Sequence, residues 1–425
     1  MNIVYLVHET AWKDLSGTPI LTQQYADLAI KNGHKVCIIT PSFNGKNEIF
    51  KKKDIFYLNV DAIVNWSLNA FKKNNAIVQE NLQLPFKPDI IHIIDWVHIN
   101  PNFINDLRKY NVPILRHVNS FEELCYFQHP IYQHKDNSLC QPPLKAEDCT
   151  RCITKKLYKD AKILRKVKYF LLNEKKKDFN NFYNSLKDRN ELVLKQFTNI
   201  YDHLIFGSSA FAEFFFSHIK LKKNFSIIPH GIDKKKIIKK NFFDRKINII
   251  YTGGRAHRKG WKIVEKAFDY LLNKHSDKIN LRIYGHKKKI EKSKIGKHSS
   301  VECFDFFEYE KLEETISWAD IAVLPTLFEP YGIIIREFLS LGVSTITTNT
   351  FGPSEIIKDK INGIILTKPY INNLKTEIEN LIQDKEALLK YHDEANKTFI
   401  PTKEEEFNII MKLYDNYCNT QNLRN

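Results

Sequence analysis

The chain has 425 residues, 43% of them hydrophobic, and a formal net charge of +16. This length exceeds what one hydrophobic core usually supports, so we expect two domains. No apolar run reaches the length of a membrane span, and the N-terminus is typical of a first strand rather than a signal peptide. These features exclude a transmembrane helix and predict a cytoplasmic protein.

Lysines outnumber acids in several short runs, including 51–53, 175–177, 234–236 and 287–289. Such runs are typical of nucleic-acid binding, of attraction to an anionic membrane, or of a solvated lysine-rich surface. Scattered runs without one aromatic-lined groove argue against a nucleic-acid partner. Two interpretations of the lysine runs stay open, namely peripheral contact with the inner face of a membrane and a solvated surface.

The first half of the chain alternates between strand and helix patterns. A strand at 3–7 leads into a polar loop with Ser16, Gly17, Thr18 and Pro19. A helix from about 21 to 31 and a strand at 34–40 complete a β-loop-α-β unit, which is typical of a doubly wound sheet. Further strands are predicted at 88–94, 112–117 and 203–209, the last leading into a helix capped by serine.

A less regular insert is predicted at about 121–195. Its loop-like front part holds Cys125, Cys140, Cys149 and Cys152, of which only the last pair has the spacing of zinc ligands. A structural zinc site, in which His129 or His134 could replace a cysteine, and reduced thiols packing a loop both stay open. The odd total of seven cysteines argues against structural disulfides.

The back part of this insert predicts basic amphipathic helices at 157–173 and 179–187. Helices of this type usually pack on their own domain, although they also suit a membrane surface.

A second α/β domain begins after 226–233. Its predicted strands are 247–251, 280–284, 321–324 and 343–347. Helices are expected to begin near Gly260, Tyr309 and Gly332, and an amphipathic helix at 404–417 ends the chain.

A glycine-rich, basic loop follows the first strand of this domain. Gly253 and Gly254 allow a ligand to approach the backbone, Arg255 can grip phosphate oxygens with its planar fork, and Lys259 adds a point charge. Arg258 is an alternative to Lys259. The loop lacks the third glycine of a dinucleotide-binding fingerprint and is not a Walker loop.

Two acids, Glu329 and Glu337, flank a predicted helix start. Glu329 lies on a loop with Tyr331, and the N–H groups of Gly332, Ile333 and Ile334 open the helix that carries Glu337. A helix start attracts anions, and carboxylates accept hydrogen bonds from hydroxyls, so the segment suits a sugar linked to a diphosphate. A pair of solvated helix-start carboxylates is the alternative.

The order of these segments resembles that of retaining glycosyltransferases of family 4, the glycosyl transferases group 1, whose signature is Glu-x7-Glu. The resemblance implies the α/β GT-B fold, in which two Rossmann-like doubly wound domains face each other across a cleft. Residues 1–228 would form the acceptor-side domain and 229–400 the nucleotide-sugar domain, with a helix at 401–425 returning to the first.

The resemblance also implies the substrates. The donor would be a nucleotide diphosphate sugar, and the acceptor a saccharide or lipid-linked saccharide in polysaccharide, lipopolysaccharide or glycolipid assembly. Because the sequence contains no Asp-x-Asp motif, the basic loop and helix start would replace a divalent metal, and no cofactor would take part in catalysis.

The resemblance assigns roles to individual residues. Glu337 would accept hydrogen bonds from the ribose hydroxyls, and Glu329, as a catalytic residue, from the hydroxyls of the donor sugar. The cations and the helix-start amides would hold the diphosphate. In the first domain Gly17 would face the donor, and either His117 or Asn119 would take the catalytic position of the family histidine. The donor-binding set is Gly17, Gly254, Arg255, Lys259, Glu329, Tyr331, Gly332, Ile333, Ile334 and Glu337.

Other functions are compatible with the same patterns. A sugar-nucleotide epimerase or a phosphorylase would share the fold, although neither the acid/base pair of the one nor the pyridoxal lysine of the other is evident. A basic nucleic-acid or membrane-binding protein without enzymatic activity is the alternative from another class.

Overall fold

A computed structural model describes residues 1–13, 17–42, 48–61, 83–96, 98–99, 101–125, 139–141, 145–160, 174–233, 240–241, 243–307, 311–368 and 370–422. The chain divides into two compact units. The first consists of Met1–Phe206, Ala212–Ile228 and Phe407–Asn425, and the second of Gly207–Phe211 and Pro229–Glu406.

The first unit is built on a sheet of eight strands in the order β3-β4-β2-β1-β5-β6-β7-β8. All neighbours are parallel except β3 and β4. The strands are β1 Asn2–Leu6, β2 Lys35–Ser42, β3 Glu48–Lys52, β4 Ile55–Asp61, β5 Ile90–Ile93, β6 Ile114–Val118, β7 His203–Phe206 and β8 Phe225–Ile227.

Helices connect these strands, as parallel pairing requires. They are α1 Gly17–Lys31, α2 Pro101–Asp106 followed by a 3₁₀ turn at Leu107–Tyr110, α3 Ala146–Asp160, α4 Glu174–Asn199 and α5 Ser209–His218.

The core of the first unit lies between its sheet and helices from both ends of the chain. Tyr25 from α1 joins Phe407 and Tyr414 from the C-terminal helix in one buried cluster. The Tyr414 hydroxyl also lies 2.6 Å from Nδ1 of the buried His92. The last helix is therefore an integral part of the first unit from Phe407 onward.

The second unit has a fully parallel sheet of six strands in the order β11-β10-β9-β12-β13-β14. The strands are β9 Ile247–Tyr251, β10 Ile279–Tyr284, β11 Val301–Phe304, β12 Ile321–Leu324, β13 Ser344–Thr348 and β14 Gly363–Leu366. The helices are α6 Trp261–His275, α7 Lys287–Glu291, α8 Leu312–Ser317, α9 Ile333–Ser340, α10 Phe351–Ile356, α11 Ile371–Gln383 and α12 Lys385–Asn396, with 3₁₀ turns at His257–Lys259 and Ile295–Lys297. The last helix, α13 Lys403–Asn422, begins in this unit and belongs to the first unit from Phe407 onward.

The predicted α/β architecture with two Rossmann-like sheets is confirmed. Buried apolar strands such as Ile247–Tyr251 and Ile321–Leu324 have the predicted bounds. The prediction of a loop at Gly17–Pro19 was wrong, because these residues form the first turn of α1, where proline is tolerated. The loop-like description of the cysteine-rich segment was also wrong at α3, which carries Cys149 and Cys152.

Some predictions fall outside the described residues. These are Ser16, His129, His134, the lysine run at 234–236, the helix start at Tyr309 and the part of the 157–173 helix beyond residue 160. Within the described ranges, none of the helices combines the length and the apolar composition that crossing a bilayer requires.

A buried ionic cluster stabilises the carboxyl end of β6. Arg116 donates to Glu122 and Glu123 and, at 2.7 Å, to the carbonyl of Ile94, and all three charged side chains are buried. Burial raises the pKa of Glu122 to about 8, although the Arg116 charge acts in the opposite direction. The guanidinium thus compensates carboxyl groups that water cannot reach.

We expect Arg116→Met to destabilise the first unit by about 3–5 kcal/mol, because removing one partner leaves buried acids without their cation. Chemical denaturation followed by circular dichroism measures the loss.

The matched control is Arg108→Met. Arg108 pairs with Asp202 at 2.9 Å near the surface, with side chains that are 34% and 30% exposed. Pairs of this type contribute about 0–1 kcal/mol. Equal losses in the two variants would contradict a stabilising role for the buried cluster.

Candidate active site

The second sheet reverses its strand order between β9 and β12. From β9 the chain continues outward to β10 and β11, whereas from β12 it continues the other way to β13 and β14. Open α/β sheets bind ligands beyond the carboxyl ends of their strands at such a reversal. In this unit, the loops at 252–260 and 325–332 occupy that position.

These two loops are joined through their backbones. The N–H of Leu327 donates to the carbonyl of Arg258 at 2.8 Å. Gly260 has a φ of +80°, and a Cβ at this position would lie 2.1 Å from the carbonyl oxygen of Pro325. Only glycine accommodates both the backbone conformation and the close approach.

The joined loops bring opposite charges together. Lys259 forms a hydrogen-bonded ion pair with Glu329, and Nη1 of Arg258 lies 3.9 Å from the same carboxylate oxygen. The side chain of Lys259 is 21% exposed and that of Glu329 is 13% exposed. Both cations that the sequence offered as alternatives therefore lie at Glu329, with Lys259 the closer.

The pKa of Glu329 reflects this environment. Burial raises the pKa of its carboxyl group, but the Lys259 and Arg258 charges and hydrogen bonds from Lys259 and from the Gly332 N–H outweigh burial. The net pKa lies below the ordinary value for glutamate, so the group is a carboxylate at neutral pH.

Helix α9 begins directly behind this carboxylate. Gly332 precedes the helix with a φ of +80°, a left-handed conformation that glycine adopts without strain. The first helical residues are Ile333 and Ile334, and Glu337 is buried one turn further on, with 8% of its surface exposed. The predicted arrangement of loop acid, helix start and helix acid is thus present in one unit.

Tyr331 supports the loop with its side chain. Its hydroxyl donates to the carbonyl of His230 at 2.7 Å, and the guanidinium of the buried Arg336 lies 3.6 Å from its ring centroid. Its ring also packs so closely on Gly207 that a Cβ there would lie 2.7 Å from it. The side chain therefore fixes the loop.

The glycine-rich loop continues toward the ends of β10 and β11. Gly254 donates to the carbonyl of Tyr284 at 3.0 Å, and the exposed Arg255 donates to the carbonyl of Lys289 at 3.1 Å. Arg255 therefore lies toward α7, whereas Lys259 and Arg258 lie at Glu329.

Phe306 stands beside this loop and was missed by sequence reasoning. Its ring is 58% exposed and packs edge-on against His286, with centroids 5.2 Å apart. A Cβ on Gly254 would lie 3.7 Å from the ring. The signal that could have identified it is an aromatic residue just after a strand end, next to the reversal of strand order.

The predicted residues of the first unit have different environments. Gly17 is exposed at the start of α1. His117 is fully buried within β6, where its ring stacks on His92 with centroids 5.6 Å apart. Asn119 is half-buried just beyond that strand.

The cysteines of the insert are reduced thiols in this structure. Burial raises the pKa of Cys140 to about 12 and that of Cys149 to about 11, so both are protonated thiols here. Across the described ranges, no three His, Cys, Asp or Glu side chains converge as a metal site would need. The predicted zinc site at Cys125, Cys140, Cys149 and Cys152 therefore receives no support from these residues.

Residues 233–398 match the profile of the family described as glycosyl transferases group 1. A stretch of 139 residues is 23% identical to an uncharacterized glycosyltransferase of Methanocaldococcus jannaschii, covering 32% of this chain and 36% of that protein. The chain thus matches about a third of the length of this curated relative.

Solved structures resemble the chain over almost its whole length. A sucrose-phosphate synthase from Thermosynechococcus elongatus has a TM-score of 0.67 at 14% identity, with 98% of each chain covered. WaaG, a glycosyltransferase involved in lipopolysaccharide biosynthesis, has a TM-score of 0.60 at 14% identity, with coverages of 98% and 99%. Anabaena HepE, solved with UDP and glucose, has a TM-score of 0.57 at 12% identity, with coverages of 98% and 100%.

The likeness to these structures confirms the predicted GT-B fold. The profile match covers the segments that carry Lys259, Glu329 and Glu337. Residues 233–398 are therefore similar to the glycosyl transferases group 1 family, within a chain of GT-B fold.

Proposed function

We propose that the protein is a retaining glycosyltransferase that moves a sugar from a nucleotide diphosphate sugar to a hydroxyl acceptor. The observation that carries this proposal is the cluster of Lys259, Arg258 and Glu329 at the start of α9, inside the segment that matches the group 1 profile. It combines cations for a diphosphate with a carboxylate for sugar hydroxyls.

The cations would act on the leaving group. Transfer breaks the bond between the anomeric carbon and the diphosphate oxygen, and negative charge develops on that oxygen. Preorganised donors that meet such charge commonly contribute about 3–4 kcal/mol each to catalysis. Lys259, Arg258 and Arg255, with the N–H groups at the start of α9, would supply this stabilisation in place of a divalent metal.

The rest of the step balances the charge and retains the configuration at the anomeric carbon. A bond forms between the acceptor oxygen and the anomeric carbon on the face that the diphosphate leaves, and the acceptor proton passes to the departing diphosphate. Glu329 would hold the sugar hydroxyls, and Glu337 would accept from the ribose. Neither acid forms a covalent bond to the sugar in this scheme.

The acceptor would be a saccharide or lipid-linked saccharide in polysaccharide, lipopolysaccharide or glycolipid assembly. The similarity to WaaG supports this class. The lysine runs would attract the protein to an anionic membrane surface. In the first unit, we favour Asn119 over His117 as the residue that touches substrate, because His117 is fully buried.

The nucleotide assignment is tested by a thermal-shift screen of UDP, GDP and their sugar conjugates, since a ligand that binds only the folded state raises the melting temperature. We expect one nucleoside diphosphate and its sugar conjugate to stabilise the protein. Glu337→Ala should reduce this stabilisation, because the ribose hydroxyls lose their acceptor.

Glu314→Ala is the control. Glu314 is exposed on α8 and lies outside the proposed site. Its replacement removes one carboxylate from the same unit and should leave the thermal shift unchanged. A wild-type protein that no sugar nucleotide stabilises would contradict the proposal.

A nucleobase would lie on Phe306. The ring is largely exposed next to the glycine-rich loop, and stacking of one base on an aromatic side chain is worth about 1–3 kcal/mol. We expect Phe306→Ala to weaken the binding of nucleoside diphosphates by that amount and to leave the binding of inorganic pyrophosphate unchanged. Isothermal titration calorimetry measures both affinities.

Phe399→Ala is the matched control, because Phe399 is 77% exposed in the same unit but lies outside the loops at 252–260 and 325–332. If Phe306→Ala weakened the binding of pyrophosphate and of nucleotide equally, this would argue against stacking of the base on Phe306. Loss of nucleotide binding in Phe399→Ala would argue against placing the base at Phe306.

A further inference from the structure

The carboxylate of Glu329 occupies a position built for an anion. It pairs with Lys259, lies 3.9 Å from Arg258 and accepts from the N–H of Gly332 at the start of α9. Cations together with a helix-start N–H are the groups that bind phosphate in many proteins. In this structure the protein therefore fills this position with its own side chain.

The same groups are those assigned to the diphosphate in the proposed function. Two anions cannot share Lys259 and Gly332 without repulsion, because like charges about 4 Å apart repel by several kcal/mol at the edge of a protein. A diphosphate that binds at Lys259 must therefore displace the carboxylate of Glu329.

We propose that Glu329 is a displaceable occupant of the diphosphate position and makes the site select sugar-bearing diphosphates over bare ones. This inference rests on the proposed function. A bare diphosphate would displace the carboxylate from its cation and leave it without a partner. A sugar diphosphate would also displace the carboxylate, but its sugar hydroxyls would donate new hydrogen bonds to it.

The displacement requires only a movement of the Glu329 side chain. The loop backbone is held by the bond from Leu327 to Arg258 and by the bond from the N–H of Gly352 to the carbonyl of Pro330 at 3.1 Å. A buried group left without a hydrogen bond is costly, whereas an exchange of partners is nearly neutral. The discrimination therefore arises from the new partner of the carboxylate and not from a loop rearrangement.

The exchange has a consequence for turnover. When the sugar has been transferred, the hydroxyls that held Glu329 leave with the product. The carboxylate then returns to Lys259 and competes with the nucleoside diphosphate that remains. Glu329 would thus both hold the donor sugar and promote release of the spent nucleotide.

The test is the affinity of Glu329→Gln for anions with and without a sugar. Inorganic pyrophosphate, UDP, GDP and their sugar conjugates are titrated by calorimetry into the full-length protein. We expect the variant to bind pyrophosphate and the cognate nucleoside diphosphate about tenfold more tightly, a change of 1.4 kcal/mol. Its affinity for the sugar conjugate should not rise, so the preference for sugar-bearing ligands falls.

Controls separate this effect from net charge and from misfolding. Glu314→Gln changes the net charge by the same amount at an exposed position and should leave every affinity unchanged. Glu329→Ala, which removes the carboxylate and its hydrogen bonds, should also bind bare diphosphates more tightly than the wild type. Circular dichroism verifies that each variant is folded.

The outcomes are distinguishable. If the wild type binds nucleoside diphosphates but neither Glu329 variant binds them more tightly, the inference fails and the proposed function stands. If no sugar nucleotide or diphosphate binds the wild type or either Glu329 variant, the proposed function fails with it.

Discussion

The close approach of Gly260 to the carbonyl of Pro325 is the constraint on which the candidate site depends. It brings the loop after β9 against the loop after β12, where the strand order of the second sheet reverses. A side chain at this position would separate the loops, and with them Lys259 and Glu329. The charge arrangement is thus a consequence of a backbone contact that only glycine permits.

Electrostatic pairs have different roles in the two units. In the first unit, Arg116 is buried together with the acids that it contacts, and neither solvent nor a ligand can reach these side chains. In the second, the Lys259–Glu329 pair retains partial exposure on the loops that follow β9 and β12. Removing one partner of a buried pair leaves an uncompensated charge, which is strongly destabilising. Under the proposed function, the partly exposed pair would instead exchange its partner for a substrate.

Sequence reasoning was most successful where strands are buried on both faces. The runs at Ile247–Tyr251 and Ile321–Leu324 are continuously apolar, as parallel strands covered by helices must be. It missed β3, a mostly exposed edge strand containing Glu48, Lys51 and Lys52, because its side chains do not alternate as a half-buried strand does. It also missed α3, where closely spaced cysteines suggested a loop although the charged segment forms a helix packed on α4.

The sequence by itself determined the α/β class, the strands β9, β10, β12 and β13 of the second unit, and the presence of two acids around a helix start. Local periodicity and glycine positions suffice for these features because they depend on neighbours within a few residues. Only the tertiary structure decided that Lys259 and Arg258 both lie at Glu329, 70 residues away in the case of Lys259. It also showed that His117 is buried and that Phe306 is exposed, because contacts between distant segments depend on how the strands are ordered in the sheet.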